Sequence, residues 1–106
     1  LIGDATLASP MMPKSGHMAT NQAKICAAAI VELLAGRQPD PIPVVANTCY
    51  SATSDTTAGY VANVFRFEAG KGYVTQPDGG ATGKGDDLNF AYAESWAQNI
   101  WAETLS

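Results

Sequence analysis

A proline-rich segment, Pro39-Asp-Pro-Ile-Pro43, is the feature that most restricts how this chain folds. Proline has no backbone N–H and disfavours helical geometry in the residue before it, so a helix does not continue through such a stretch. Gly36 lies just upstream, where glycine commonly ends a helix. Residues 38–43 are therefore predicted to form an extended connector between two domains, residues 1–37 and residues 38–106.

The first domain is predicted to consist of a strand end, a loop and a helix. Leu1-Ile2 is typical of the end of a buried strand that runs into a turn. The Pro10–Gly16 loop follows, and the spacing of apolar residues then predicts a helix over about residues 18–35, capped by Ser15 or Thr20. Since the remaining strands of such a sheet are missing, we expect the chain to be a fragment of a longer protein.

The second domain is predicted to be a small antiparallel sheet of about three strands followed by a C-terminal helix. A glycine-containing turn joins two of the strands, and an aspartate is placed to cap the helix. The expected elements are strands over residues 44–53 and 60–68, a turn over 69–72, a strand over 73–76, a mobile loop over 77–85 and a helix over about 88–104 capped by Asp86 or Asp87. The predicted fold class is α+β.

Apolar stripes on the two predicted helices are the candidate core. Cys26 lies on the first stripe and is predicted to be a buried thiol, with a disulfide to Cys49 as the alternative. Trp101 lies on the second and is predicted to be a core aromatic that covers the sheet. The two stripes comprise Cys26, Ala29, Ile30, Leu33 and Leu34 on the first helix, and Tyr92, Trp96, Ile100 and Trp101 on the last.

Composition excludes several classes of function. The formal net charge is −4 and the six basic residues are scattered, unlike the clustered positive charge that binds nucleic acids or anionic membranes. No apolar run in the sequence approaches the length needed to span a bilayer. Because His17 is the only histidine, a histidine-based metal cluster is excluded. The glycine-rich stretch 79–85 lacks the spacing of a phosphate-binding loop.

The segment Lys14-Ser-Gly-His17 directly precedes the first predicted helix. The first N–H groups of a helix lack partners within it, and they lie at the positive end of its dipole. Such a position suits a negatively charged group, and Gly16 would let that group approach the backbone closely. The alternative is an ordinary capped helix whose Lys14 and His17 are solvated.

Cys49 lies in the predicted strand, in the run Asn47-Thr-Cys-Tyr-Ser51. Strand alternation places Cys49 and Asn47 on one face, and Thr48 and Tyr50 on the other. Cys49 is either a plain core thiol or a reactive one, and reactivity requires exposure and access to the thiolate form.

Four motifs together resemble the flavoprotein subunit of flavocytochrome c sulfide dehydrogenases. They are Gly3-Asp-Ala5, Met12-Pro-Lys-Ser-Gly-His-Met-Ala19, Asn47-Thr-Cys-Tyr-Ser51 and the closing run from Tyr92 through Ser95-Trp96 to Asn99-Ile100. The resemblance implies the C-terminal part of a periplasmic flavoprotein that oxidises sulfide and passes electrons from FAD to a c-type cytochrome subunit. It also implies roles for individual residues: Asp4 at the FAD ribityl chain, Lys14, Ser15, Gly16 and His17 at the flavin pyrimidine edge, Cys49 in a redox disulfide, and Trp96 beside the flavin ring.

The resemblance also implies what these residues lack. The second cysteine of the redox disulfide lies upstream in that family, as does the first dinucleotide-binding unit, so the chain alone is not expected to hold FAD or to catalyse. The stripe from Cys26 to Leu34 would be exposed without the missing sheet, which predicts self-association. The alternatives are a fragment of a sulfide:quinone oxidoreductase-like flavoprotein and a non-catalytic module that docks a cytochrome subunit.

Overall fold

The computed structural model describes residues 1–6 and 12–106. The fold is α+β, as predicted, with two helices and an antiparallel sheet. Pro10 and Met11 of the predicted loop lie outside the described residues. The described elements are a short 3-10 turn (Gly3–Ala5), α1 (Gly16–Leu34), β1 (Val44–Ala52), β2 (Ala58–Glu68), β3 (Gly72–Thr75), β4 (Gly80–Ala81) and α2 (Asp87–Leu105).

The chain forms two compact units. Unit 1 comprises Leu1–Thr48 and Ala62–Gly79, and unit 2 comprises Cys49–Val61 and Gly80–Ser106. β1 and β2 each contribute residues to both units. The division into residues 1–37 and 38–106 stays a prediction.

The strand end at Leu1-Ile2 stays a prediction, because the strands that would pair with it were expected to be missing. Ile2 has extended backbone angles, and among the described residues neither it nor Leu1 pairs with a strand. The chain turns directly after Ile2, because Gly3 adopts a positive φ of 73°. The turn is closed by Thr6, whose N–H and hydroxyl both donate to the Gly3 carbonyl oxygen, at 3.0 and 2.9 Å.

Both ends of α1 follow from local sequence. The Ser15 hydroxyl accepts a hydrogen bond from the Met18 N–H, which confirms Ser15 as the N-cap. At the other end Gly36 adopts a φ of 71°, and its N–H donates to the Leu33 carbonyl at 3.0 Å. The Arg37 N–H donates to the Glu32 carbonyl at 2.9 Å, which completes the glycine-terminated ending. The predicted stop at Gly36 is confirmed.

The core of unit 1 is a cluster of Met18, Val45 and Phe65, which are 2%, 1% and 2% exposed. Ile25 and Tyr73 pack against it half-buried. Burial raises the pKa of the Tyr73 phenol because it disfavours the phenolate, and the nearby Asp40 carboxylate raises it further.

The predicted burial of Cys26 is wrong, because α1 turns a different stripe inwards. Met18 and Ile25 lie on the inward side, seven residues apart, whereas the Cys26 thiol is exposed. The rest of the predicted stripe is largely exposed as well, and Leu34 is 85% exposed. Both sides of α1 carry apolar residues, and only one of them has a partner layer within the described part of the chain.

The sheet has the strand order β1–β2–β3, with β4 paired to β2. β2 and β3 are antiparallel, and Phe65 lies opposite Thr75. The predicted turn between them is confirmed: the Lys71 N–H donates to the Glu68 carbonyl at 3.0 Å, and Gly70 takes a φ of 81°. β1 of this sheet contains the Asn47-Thr-Cys-Tyr-Ser51 motif.

The segment predicted as a mobile loop, residues 77–85, is partly ordered by β2. It contains β4, and the Thr82 hydroxyl accepts a hydrogen bond from the Tyr60 N–H at 2.8 Å. Ala58 and Asp86 exchange two backbone hydrogen bonds just beyond it, at 3.0 and 3.1 Å. Gly85 has no space for a side chain, since an added Cβ would lie 3.1 Å from the Ala58 carbonyl carbon. Glycine at this position permits close packing against the backbone of β2.

α2 begins as predicted, but the side of the helix that is buried differs in part from the predicted stripe. Asp86 is its N-cap and accepts from the Asn89 backbone N–H at 2.6 Å. Trp101 is 59% exposed, so its predicted burial in the core is wrong. The half-buried residues of α2 are Phe90, Ala93, Trp96, Ala97 and Ile100, which form a stripe rotated away from Trp101. None of the helices in the described residues has the length and apolarity needed to cross a bilayer.

Candidate functional site

Two hydrogen bonds attach the 3-10 turn to α1 and to the segment that precedes it. The Lys14 ammonium donates to the Asp4 backbone carbonyl at 2.7 Å, and the Gly3 N–H donates to the Gln22 side-chain oxygen at 2.6 Å. The structure therefore brings the predicted site residues Asp4 and Lys14 together. The side chain of Lys14 is committed to the backbone of the turn, while residue Asp4 remains exposed.

Ser15 connects the start of α1 to β1. Its hydroxyl donates to the Asn47 side-chain oxygen at 2.5 Å and accepts from the Met18 N–H at 3.1 Å. Asn47 is only 1% exposed, so this polar contact lies in the interior beside Val45 of the core cluster. The Asn47 oxygen thereby orients the Ser15 hydroxyl, whose lone pair is left to cap α1.

His17 makes a second connection from α1 to β1. The Thr48 backbone N–H donates to His17 Nδ1 at 2.9 Å. His17 is half-buried and stands in the first turn of α1, while Thr48 immediately precedes Cys49 in the chain. Two consecutive residues of β1 thus hold the first turn of α1.

Gly16 leaves the backbone open at the start of α1. It is exposed, its φ is not positive, and a Cβ added there would meet no atom within 4 Å. Neither the conformation nor the packing of this chain therefore requires glycine at this position. The Gly16 N–H has no acceptor among the described residues, so it remains able to bind a ligand atom at the positive end of the helix dipole.

Cys49 lies in the part of β1 that belongs to unit 2 and is half-buried. Both cysteines lie within the described residues, and no disulfide joins Cys49 to Cys26. By strand alternation, the Cys49 side chain points to the side of β1 opposite to Tyr50.

Trp96 belongs to an aromatic cluster in unit 2. Its ring lies 5.7 Å from the Tyr50 ring, and Tyr50 in turn lies 6.1 Å from Tyr60. The tilted arrangements are typical of stabilising aromatic pairs. The structure therefore brings Trp96 to the Tyr50 side of β1, not to the side towards which Cys49 points.

Three residues that support the site were not identified from the sequence. Gln22, Asn47 and Thr48 bind the turn or the start of α1, and two of them are the first residues of the Asn-Thr-Cys-Tyr-Ser motif. Nothing local to the sequence pairs Asn47 with Ser15, 32 residues away. The amide that follows the apolar run at the start of β1 was the available signal, since such a group needs a partner when it is buried.

The described residues contain no group of three or more His, Cys, Asp or Glu side chains that could hold a metal ion.

In comparison with known families, residues 41–105 match the one described as flavocytochrome c sulphide dehydrogenase, flavin-binding. The match includes Cys49 and Trp96, and it leaves out the segment that contains Asp4 and residues 14–17.

Proposed function

The chain belongs to the flavin-binding family of flavocytochrome c sulphide dehydrogenases, and we propose from this that it is the C-terminal part of a periplasmic, FAD-dependent sulfide dehydrogenase. Membership of this family makes the chain part of a flavoprotein oxidoreductase. The proposal adds sulfide as the substrate, a disulfide involving Cys49 as the first acceptor, and a c-type cytochrome subunit as the electron partner. One observation carries it, namely that the matched segment contains the Cys49 motif.

The start of α1 fits a flavin. FAD when bound supplies a two-electron acceptor whose reduced form carries negative charge at the pyrimidine edge. The open Gly16 backbone would hold that edge, because its N–H lies at the positive end of α1 and no side chain obstructs the approach. Asp4, exposed beside the bond to Lys14, would accept from the ribityl hydroxyls. Stabilising negative charge in this way raises the flavin potential.

Cys49 would supply one sulfur of the redox disulfide, with the other from a cysteine outside these residues. Sulfide sulfur adds to one sulfur of a disulfide, and the other sulfur leaves as a thiolate. Cys49 is half-buried and forms no disulfide among the described residues, which is consistent with a partner cysteine from outside them. The role of Trp96 beside the flavin ring stays a prediction, because Trp96 lies with Tyr50 on the side of β1 opposite to the Cys49 side chain.

The charge of unit 2 supports an oppositely charged partner. This unit contains five acidic residues and one lysine, a net charge of −4, whereas five acidic and five basic residues cancel in unit 1. An acidic surface favours association with a basic one and speeds their encounter. We infer that a cytochrome subunit docks on unit 2 through a surface rich in lysine or arginine.

The proposal is tested in the parent flavoprotein by adding sulfide under anaerobic conditions. We expect the visible flavin absorption band to bleach, with sulfate as a control anion that leaves it unchanged. Subsequent addition of oxidised c-type cytochrome should restore the band, because electrons then leave the flavin. A parent protein without flavin, or with a flavin that sulfide does not reduce, would contradict the proposed function and favour a non-catalytic docking module.

The chain is further predicted to self-associate through the exposed apolar side of α1. Ile30, Leu33 and Leu34 are 51%, 59% and 85% exposed there, and contact between copies would remove them from water. Light scattering of the 106-residue chain should show a mass that rises with concentration, and substituting Leu33 and Leu34 by Gln should suppress the rise. Leu105→Gln, at an exposed leucine of α2, is the control. A wild-type chain that stays monomeric at high concentration rules this out.

A further inference from the structure

Two hydrogen bonds between consecutive residues of β1 and the first turn of α1 form what we term the β1–α1 clamp, made of Ser15, His17, Asn47 and Thr48. The Asn47 side-chain oxygen accepts from the Ser15 hydroxyl, and the Thr48 N–H donates to His17 Nδ1. The two bonds connect positions 31 and 32 residues apart in sequence. Because they come from neighbouring residues of β1 and reach the residues on either side of Gly16, they fix the rotation of the start of α1 as well as its distance from β1.

The bond from Thr48 also determines the state of the His17 ring. A ring nitrogen that accepts a hydrogen bond carries no proton, so the single ring proton of His17 lies on Nε2 and the ring is neutral. Protonation of Nδ1 would place two N–H groups against each other and break the clamp. The clamp and a positive charge on His17 therefore exclude each other.

We propose that His17 and Asn47 are positioning residues for the flavin site, and that His17 acts there as a neutral imidazole, not as a cationic ligand or an acid. This inference rests on the proposed function. The side chains on either side of Gly16 are committed to this chain: Ser15 binds Asn47 and Met18, and His17 binds Thr48. The positive character of the site then comes from the start of α1, and the clamp determines where that start points.

The first test uses the 106-residue chain without any cofactor. Since His17 is the only histidine, ring nitrogen signals from a ¹⁵N-labelled sample have a single source. We expect a scalar coupling across the hydrogen bond between the Thr48 amide nitrogen and His17 Nδ1 at neutral pH, with the ring proton on Nε2. A missing coupling, or a ring protonated at Nδ1, overturns the proposal.

The second test compares two substitutions, each of which keeps a polar atom near only one of the two ring nitrogens of His17. In His17→Asn, the side-chain oxygen lies near the place of Nδ1 and can still accept from Thr48, whereas His17→Gln places its amide near Nε2 and loses that bond. We expect amide exchange at Thr48 to stay close to wild type in His17→Asn and to become roughly fivefold faster in His17→Gln. The reverse order overturns the clamp.

The midpoint potential of the flavin in the parent protein then tests the positioning role. His17→Gln and Asn47→Leu should both lower this potential, because each loses a hydrogen bond that places the start of α1. His17→Asn keeps the bond from Thr48 and should therefore retain most of the wild-type potential. A potential that falls in His17→Asn but not in His17→Gln would make Nε2 a direct contact and refute positioning. A parent that binds no flavin refutes the proposed function, and the coupling measured in the isolated chain is independent of that outcome.

Discussion

Replacing Cys49 by serine in the parent flavoprotein is expected to abolish sulfide oxidation while FAD stays bound. Serine nearly preserves the size of the half-buried side chain, but it cannot form a disulfide or leave as a thiolate. We expect the rate of sulfide-dependent flavin reduction to fall by about a thousandfold or more, as for other residues that react covalently. Stopped-flow absorbance gives that rate, and the visible spectrum gives the flavin content.

The matched control is Cys26→Ser, which makes the same chemical change at an exposed thiol on α1. Cys26 takes no part in the proposed site, so this variant should keep both the rate and the flavin. Activity retained in Cys49→Ser would remove the redox role of Cys49. An equal loss in both variants would point to a general effect of thiol removal.

Replacing Phe65 by alanine is expected to lower the free energy of unfolding of unit 1 by about 3–5 kcal/mol. Phe65 is 2% exposed and packs against Met18 and Val45, so the substitution leaves a cavity that the neighbours fill only in part. A loss of this size is a large share of the roughly 5–15 kcal/mol that stabilises an ordinary domain. Urea unfolding followed by far-ultraviolet circular dichroism measures it.

Leu105→Ala is the control for that measurement. Leu105 is 80% exposed and lies outside the predicted contact between copies, so its truncation removes little buried surface and should change the free energy of unfolding by less than about 0.5 kcal/mol. The midpoint in urea should move for Phe65→Ala only. Similar shifts for both variants would show that Phe65 does not anchor the core.

The sequence predicted the elements well because their ends depend on short-range chemistry. Ser15 caps α1 and Gly36 ends it through bonds that span only three to five residues. Asp86 caps α2 in the same way. The hairpin turn needs a residue that tolerates positive φ, and Gly70 supplies it. Such interactions are available to the isolated segment, so they can be inferred without knowing what packs against it.

The side that each helix turns inwards could not be inferred in this way. Both helices have apolar residues on more than one side, and the stripes chosen from sequence included Cys26 and Trp101, which are exposed. Burial is decided by which layer covers a side, and helical periodicity does not contain that information. β4 was missed for a related reason, since a two-residue strand exists only because β2 offers it a partner.

The residues of the candidate site could be located from the sequence, but the contacts that hold them in place could not. The motifs located Asp4, Cys49, Trp96 and residues 14–17 by their resemblance to a flavoprotein family, and a family match now covers the segment with Cys49 and Trp96. The contacts that hold the start of α1 involve Asn47 and Thr48, and these appeared only once β1 lay against α1. A buried amide signals that it needs a partner but does not say which one.

The sequence by itself determined the two helices with their caps, three of the strands, the α+β class and the family, because these depend on neighbouring residues and on motifs. The tertiary structure alone decided which helix sides are buried, how β2 orders the glycine-rich stretch, and that β1 binds the first turn of α1 on either side of Gly16. The physical reason is the distance along the sequence between the residues that interact. Caps and turns are satisfied within a few residues, whereas burial and the pairing of buried polar groups join positions more than 30 residues apart.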